Sequence, residues 1–506
     1  MAQSRRQKQL HRDWLNAPDF KTWMALGAEL DELDGRAEWR YEDASSEYDY
    51  RLVRARVDEL RRLREDNRVR ELVFVLHEGL HGNLGNIANP KLYGHCRSGT
   101  KILLESYLNE VAICLNYLCD NEFEDFPLDE KVLFFKRTGS SFGRSALMLS
   151  GGATLGMFHL GVIKALWHEH LLPRVISGSS AGSIIAGAVG TRTDEELDQA
   201  LEPGGLFLEA WRMVDMRTAW KRRAFMDPVQ LETCLAANLG EYTFEEAFEK
   251  TRRIVGITVS PVDAHQQGRL LNYLTAPNVL MRRASLASCS IPGVFPAVSL
   301  LAKSYGGNTV GYMPSQKWQD GSLRADLPML RLARLHNVNH YIVSQANPHV
   351  VPFMRSERKK NAKGRGLRSF AGELARSSLQ VYSKHVMETA RDHMDPEGFG
   401  RILEKLHAIT NQRYSGDITI FPKQPPKKLL QVMANPTDAD IQSFIDEGER
   451  RTWPQIERIR NSTVISRTFE SCLQRLKDRG LTRPEKASKV VALDAARLQR
   501  ESAGIG

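Results

Sequence analysis

Apolar positions along the chain follow two periods, and the change from one to the other divides it. In residues 20–70 they recur every three or four places, as at Tyr50, Val53, Val57, Leu60 and Leu63, among many charged residues. That spacing predicts amphipathic helices. ELVFVLHEGL (71–80) and KILLESYLNEVAICLNYLC (101–119) continue the pattern, the second with a strongly apolar face. A helical N-terminal domain over residues 1–140 is expected, its apolar faces packed as core.

From residue 141 the texture changes to short apolar runs that end in glycine. SALMLSGG (145–152), RVISG (174–178), RIVGITVSP (253–261) and NHYIVSQANP (339–348) predict buried strands. TLGMFHLGVIKALWHEH (154–170) and SIIAGAVG (183–190) predict helices between them. Alternating strands and helices indicate an α/β catalytic domain over 141–350 with a mainly parallel sheet. Residues 351–506 are expected to be a basic loop and a mostly helical C-terminal region, with a strand candidate at DITIFP (417–422) and frayed last residues.

The 506 residues are 42% hydrophobic and 26% charged, ordinary for a globular protein. The formal charge of +9 favours an anionic surface without naming one. Six cysteines without C-x-x-C spacing indicate neither a zinc knuckle nor a disulfide scaffold, and a reducing, cytoplasmic setting is the simpler expectation. The basic start, MAQSRRQKQLHRDW, has no apolar core of a signal peptide, and no uninterrupted apolar window reaches membrane-span length. Contact with lipid would therefore be peripheral. The stretch 355–368 holds seven basic residues and one acidic. It reads as a solvated loop or, alternatively, as a patch for anionic headgroups. Without interleaved aromatics it does not point to nucleic acid.

Gly178-Ser179-Ser180-Ala181-Gly182 is a G-x-S-x-G motif directly after an apolar run and before a helix. In that setting Ser180 is a candidate nucleophile on a strand–turn–helix elbow, with Gly178 and Gly182 letting the two arms approach. The same residues also suit a small-residue turn with Ser180 as helix cap. Gly151-Gly152-Ala153-Thr154-Leu155-Gly156 offers backbone N–H groups for an oxyanion at a helix start. It is neither G-x-G-x-x-G nor followed by G-K-[ST], which argues against a nucleotide site. None of the fourteen histidines sits in a distinctive turn, His336, His340 and His349 near the last strand included. Asp320, before Gly321, is a turn former or a base that takes the Ser180 proton directly. LFLEAWRMVDMRTAW (206–220) is a wall or lid for an acyl pocket, or ordinary packing. His77-Glu78-Gly79-Leu80-His81 fits the H-E-x-x-H zinc pattern, but Gly79 and Gly82 disfavour a helix there and a third ligand is lacking. No metal and no cofactor are expected.

Taken together, the glycine loop, the elbow and the Asp-Gly motif resemble the patatin-like phospholipases. HEGLHGNLGNI, SALMLSGG, GSSAGSIIA, FPAV, DGSLRADLP and NVNHYIVSQANPHVVPF carry the likeness further, to the subgroup of yeast- and plant-type triacylglycerol lipases with a helical N-terminal domain, and their bacterial relatives. The resemblance implies a three-layer α/β/α core and a Ser180–Asp320 dyad working without histidine. It implies an oxyanion loop at Gly151, Gly152, Ala153 and Gly156. Ala287-Ser288-Cys289-Ser290-Ile291-Pro292-Gly293-Val294-Phe295-Pro296 would support the pocket through an apolar turn. The chain departs from the family where Ser150 opens the glycine loop in place of Asp, where Leu155 replaces a basic residue, and where Ser322 follows Asp320-Gly321. The implied function is a serine acyl-ester hydrolase acting on triacylglycerol or related glycerolipids, in transient contact with a lipid surface. A phospholipase A and a non-catalytic lipid-surface scaffold are the alternatives.

Overall fold

The computed structural model describes residues 2–202, 204–222, 225–263, 266–292, 294–322, 326–348, 350–351, 414–423 and 434–482. The basic stretch 355–368, the helical sequence expected at 369–390, His349 and the chain end after 482 lie outside the described residues. The chain forms two compact units. One comprises 1–36, 96–99 and 143–463, the other 37–95, 100–142 and 464–506.

The first unit is built on a sheet whose strands are β1 (Arg144–Leu149), β2 (Val175–Gly178), β3 (Ile254–Pro261), β4 (Arg269–Leu271), β7 (Trp318–Asp320), β8 (Val338–Ser344) and β9 (Ile418–Ile420). Its order is β4-β3-β2-β1-β8-β9, parallel from β3 to β9, with β4 antiparallel at the β3 edge. A separate antiparallel hairpin joins β5 (Leu300–Lys303) to β6 (Thr309–Tyr312).

Side chains alternate along β1, so Leu147 and Leu149 enter one apolar cluster while Ala146 and Met148 enter another on the opposite face. Both faces are covered, which explains why the strands read as unbroken apolar runs. The larger cluster takes in the helices Phe158–His168, Ala181–Gly190, Met281–Cys289 and Asp438–Thr452; the smaller one is closed by Met329–His336. The mainly parallel α/β core expected from the sequence is present, and β8 and β9 fall where NHYIVSQANP and DITIFP placed them. The N-terminal helices Ala2–Leu15 and Phe20–Leu33 belong to this unit through a cluster of Trp14, Trp23, Ala165 and Trp453.

The second unit is helical. Tyr50–Glu65 is capped by Asp49, which accepts the Leu52 N–H, and buries Val53, Val57, Leu60 and Leu63 as their spacing requires. Ile102–Asp120 forms the centre of its core. This helix is long and apolar enough for a membrane span by length and composition, though Glu105 and Glu110 interrupt it and 56% of its apolar window is buried. Its buried Glu110 meets Arg64 at 2.7 Å. The helix Val69–Gly79 stops within H-E-x-x-H: Leu80 is extended, so His81 lies beyond the helix end and does not share a turn with His77. The His77 Nδ1 instead meets Thr138 Oγ1 at 2.8 Å.

Helices Phe158–His168 and Asp438–Thr452 cross through two glycines. A Cβ on Gly161 would lie 2.0 Å from the Ile445 carbonyl oxygen, and one on Gly448 2.4 Å from that of Phe158. Gly161→Ala is therefore expected to destabilise this unit by about 1–3 kcal/mol, outweighing the better helix propensity of alanine. Gly306→Ala, where the nearest neighbour is 3.8 Å away, is the control. Urea unfolding of both variants checks this.

Candidate functional site

The site forms where β2 leaves the sheet. Its last residue, Gly178, pairs with Ile257 of β3. The chain then turns sharply, and Ser180 caps the helix Ala181–Gly190 with φ 50° and ψ −125°. A positive φ is costly for a serine and persists only where the surroundings enforce it. Here they do. A Cβ on Gly178 would sit 2.2 Å from the Gly182 carbonyl oxygen, and one on Gly182 2.3 Å from that of Leu149. The Ser180 N–H donates to Ser288 Oγ at 2.9 Å, and the Ser180 carbonyl accepts from Ser183 Oγ at 2.7 Å.

Asp320 reaches the same place from a different part of the chain. Val259 pairs with Arg269 of β4 and with Asp320 of β7. One residue can pair with two strands only across its two edges, so β7 lies on the β2 side of β3. Continued two residues beyond Gly178, β2 would bring Ser180 opposite Val259, the position that Asp320 takes. Gly321 permits this approach, since a Cβ there would meet the Thr258 carbonyl oxygen at 2.2 Å.

Both residues are buried, Asp320 at 2% exposure. Burial raises the Asp320 pKa to about 6. The Ser322 N–H donates to Oδ1 at 2.8 Å, and this bond, with the neighbouring Ser322 and Ser180 hydroxyls, limits the rise. A serine side chain beside a buried carboxylate of raised basicity is an arrangement that can remove the serine proton.

The glycine loop lies over Ser180: a Cβ on Gly151 would be 3.4 Å from that of Ser180. The Gly151 N–H, expected among the oxyanion donors, is instead committed to Asp326 Oδ1 at 2.9 Å. Gly156 serves close packing, its missing Cβ leaving room for Ala181. The N–H groups of Gly152 and Ala153 meet no acceptor among the described residues. Ala153 itself has φ 49°.

Several supports of the loop were not singled out in the sequence. Asp326 is buried, accepts from Asn347 Nδ2 at 2.6 Å, and is raised to about 7, first by burial, with Asp320 adding to the rise. Ser150 donates to the Gly151 carbonyl and accepts the Ala346 N–H. His159, fully buried, has Nε2 3.0 Å from the Ser150 carbonyl and Nδ1 2.7 Å from Ser344 Oγ. A carbonyl only accepts, so Nε2 carries the proton and Nδ1 accepts from Ser344. Burial lowers the His159 pKa to about 4, so this histidine is a neutral strut. His336 meets Asn272, and His340 meets Ser145.

Ser180 opens onto a cavity lined by Met157, Ile184, Leu208, Trp211, Leu231, Ile291 and Phe295, with Ala153, Thr154, Ala181, Ala210, Cys234, Cys289 and Pro436. Among the described residues, no charged side chain is in that lining. The stretch 206–220 contributes Leu208, Ala210 and Trp211 to the wall, and only Met216–Arg222 is helical. Trp211 is fixed by its indole N–H on Thr154 Oγ1 at 3.1 Å and by two hydrogen bonds of its backbone with Asn435, each 2.8 Å. Of the expected apolar turn, Ala287, Ser288 and Cys289 end the helix Met281–Cys289, while Ile291 and Phe295 enter the lining.

Comparison with known proteins agrees with this architecture. Residues 147–333 match the patatin-like phospholipase family, and residues 1–140 match a domain of unknown function, DUF3336. The chain is 34% identical over 475 residues to triacylglycerol lipase ptl3 of Schizosaccharomyces pombe, covering 91% of this chain and 96% of that one. It is 35% identical to triacylglycerol lipase SDP1L of Arabidopsis thaliana and 33% identical to triacylglycerol lipase 4 of Saccharomyces cerevisiae, covering 84% and 92% of this chain. It spans only about half the length of these two, 54% and 53%. A solved structure, VipD from Legionella pneumophila, is similar over 60% of this chain and 67% of that one, with 12% identity and a TM-score of 0.27, too slight a likeness to carry an argument. With its matched domain and a relative aligned over nearly its whole length, the chain belongs to the patatin-like phospholipase family.

Proposed function

We propose that this protein is a serine acyl-ester hydrolase, a lipase that releases fatty acids from triacylglycerol or a related glycerolipid through Ser180 and Asp320. The observation that supports the reading is the buried Asp320 carboxylate, brought beside Ser180 by strand register, at an apolar cavity that Ser180 lines. The names of the three relatives, all triacylglycerol lipases, support it.

Asp320 accepts the proton as Ser180 Oγ attacks the ester carbonyl. The oxyanion is held by the N–H groups of Gly152 and Ala153, with the N-terminus of the helix Ala181–Gly190 behind it. The alcohol leaves with a proton from Asp320, and the acyl group stays on Ser180 with its chain along Leu208, Trp211 and Phe295. Asp320 then takes a proton from water, which attacks the acyl-serine and frees the fatty acid. Each step is a proton or acyl transfer that these groups complete between them. Among the described residues the lining is uncharged, which favours a neutral lipid over one that carries a phosphate.

Fatty-acid release from matched triacylglycerol and phospholipid emulsions tests the reading. Release mainly from triacylglycerol that Ser180→Ala abolishes is expected. Release mainly from phospholipid makes the protein a phospholipase A, and equal release by native and Ser180→Ala protein removes the nucleophile. A second expectation concerns the loop. Asp326→Ala frees the Gly151 N–H and lets the oxyanion donors drift, lowering kcat on a soluble ester by about 10²-fold with little change in KM. Asp326→Asn, whose amide oxygen can still accept from Gly151, restores part of the rate. Steady-state kinetics of both variants check the anchor.

A further inference from the structure

We propose that Thr154 couples the acyl pocket to the oxyanion donors, so that contact of the substrate's acyl chain with Trp211 is expressed as turnover and not as affinity. The coupling rests on the lipase reading and deepens it, while the network that carries it is a matter of geometry.

Thr154 stands between the two parts. Gly152 and Ala153, just before it, carry the N–H groups that hold the oxyanion in the proposed mechanism. Ala153 has φ 49°, a left-handed conformation that costs free energy in any residue with a side chain and persists only where the surroundings enforce it. On one side the loop is tied through Gly151 to Asp326. On the other it is tied by the Thr154 side chain, which is buried and whose hydroxyl is used twice. It donates to the Ala434 carbonyl at 2.8 Å and accepts the Trp211 indole N–H at 3.1 Å. A hydroxyl has one proton to give, so the bond to Ala434 leaves its lone pairs to Trp211. Two hydrogen bonds in series through one oxygen polarise and strengthen each other. Packing alone would be met by a valine of the same shape.

The far ends of this series are anchored. Ala434 and Asn435 lead into the helix Asp438–Thr452, where the Thr437 hydroxyl accepts the Asp440 N–H and the Asp440 carboxylate accepts that of Thr437. Asn435 in turn accepts the Trp211 N–H and donates to the Trp211 carbonyl. With the Trp211 backbone held in this way, its half-buried ring is the part left to respond to a ligand. That ring lines the cavity and tilts against Phe295, another lining residue, with ring centroids 5.7 Å apart. An acyl chain in the cavity thus packs on a ring whose N–H is bonded to the loop of the oxyanion donors.

The consequence is kinetic. A chain long enough to cover Trp211 holds its indole on Thr154, and so holds Ala153 in its left-handed turn while the oxyanion forms. A short acyl group leaves the ring free to move and the donors less well placed. Binding energy from a remote part of the substrate that is realised in the transition state raises kcat, whereas energy realised equally in the ground state would only lower KM.

Steady-state hydrolysis of p-nitrophenyl butanoate and octanoate by the full chain, both esters in monomeric solution, tests the coupling. For the native protein kcat should be roughly five- to tenfold higher on octanoate. Thr154→Val, which keeps the shape and removes both hydrogen bonds, should bring that ratio to within about twofold of unity with little change in KM. Thr154→Ser should restore much of the ratio, and Trp211→Phe, which keeps a ring without the N–H, should behave as Thr154→Val. Equal kcat on the two esters in the native protein, a native ratio in Thr154→Val, or a loss confined to KM overturns the proposal. Hydrogen exchange gives a readout that needs no turnover. Dodecanoate should slow amide exchange in the peptide over residues 150–157 of native and Ser180→Ala protein, but not of Thr154→Val. Equal slowing in Thr154→Val overturns the coupling whatever the protein hydrolyses. The expected exchange pattern in a chain with no Ser180-dependent hydrolysis leaves the link between pocket and loop standing and removes the lipase reading.

Discussion

The site depends on one vacancy in the sheet. β2 stops at Gly178, and the space beside Val259 that it would have filled is taken by Asp320 from β7. Strand pairing thus fixes the carboxylate by backbone hydrogen bonds, while the elbow fixes the serine by a strained backbone that its glycine neighbours permit. Two residues 140 positions apart are brought together without either depending on a flexible side chain. The arrangement needs no histidine between them, and the buried histidine nearest the glycine loop is a strut.

Burial does the electrostatic part. A carboxylate in water is too weak a base to take a serine proton well; moved into an apolar pocket, its charged form is disfavoured and its basicity rises. The Ser322 N–H bond and the neighbouring Ser322 and Ser180 hydroxyls keep the rise moderate, leaving Asp320 at about 6. The second buried carboxylate, Asp326, is tied by both oxygens to Gly151 and Asn347, so its place in the proposed chemistry is to hold the loop. The same loop is also held by the Ser150 hydroxyl on the Gly151 carbonyl and by His159 on the Ser150 carbonyl.

How much of this was legible in the sequence follows from how local each signal is. The helix at 50–65 and the buried strands showed as periods, because burial on one face or two writes itself into neighbouring residues. Ser180 showed because the elbow is a local turn with local glycines. Asp320 reads from its own neighbours as a turn former or a base for Ser180, and the resemblance is what implies the dyad, since its meeting with Ser180 is a matter of sheet register. Ser288, Asn347 and Asp326 lie in segments that carry the resemblance, but their roles were not legible, because each acts through hydrogen bonds to groups distant in the chain. The same reason explains why Gly151 was read as a donor to the oxyanion: its acceptor lies 175 residues away. The helix Ile102–Asp120 was easier to place by its burial than by its hydropathy, which it shares with membrane spans.

The central claim, that Asp320 itself takes the Ser180 proton, is tested most directly by the rate at which a fluorophosphonate modifies Ser180 across pH, followed by mass spectrometry of the peptide that carries it. Phosphonylation should fall as Asp320 is protonated, with a midpoint near its pKa of about 6, and Asp320→Asn should remove both the reaction and its pH dependence. Rapid labelling of Ser180 in the Asp320→Asn protein, or a native rate unchanged between pH 5 and pH 8, a window of roughly three units around that pKa, would contradict the account.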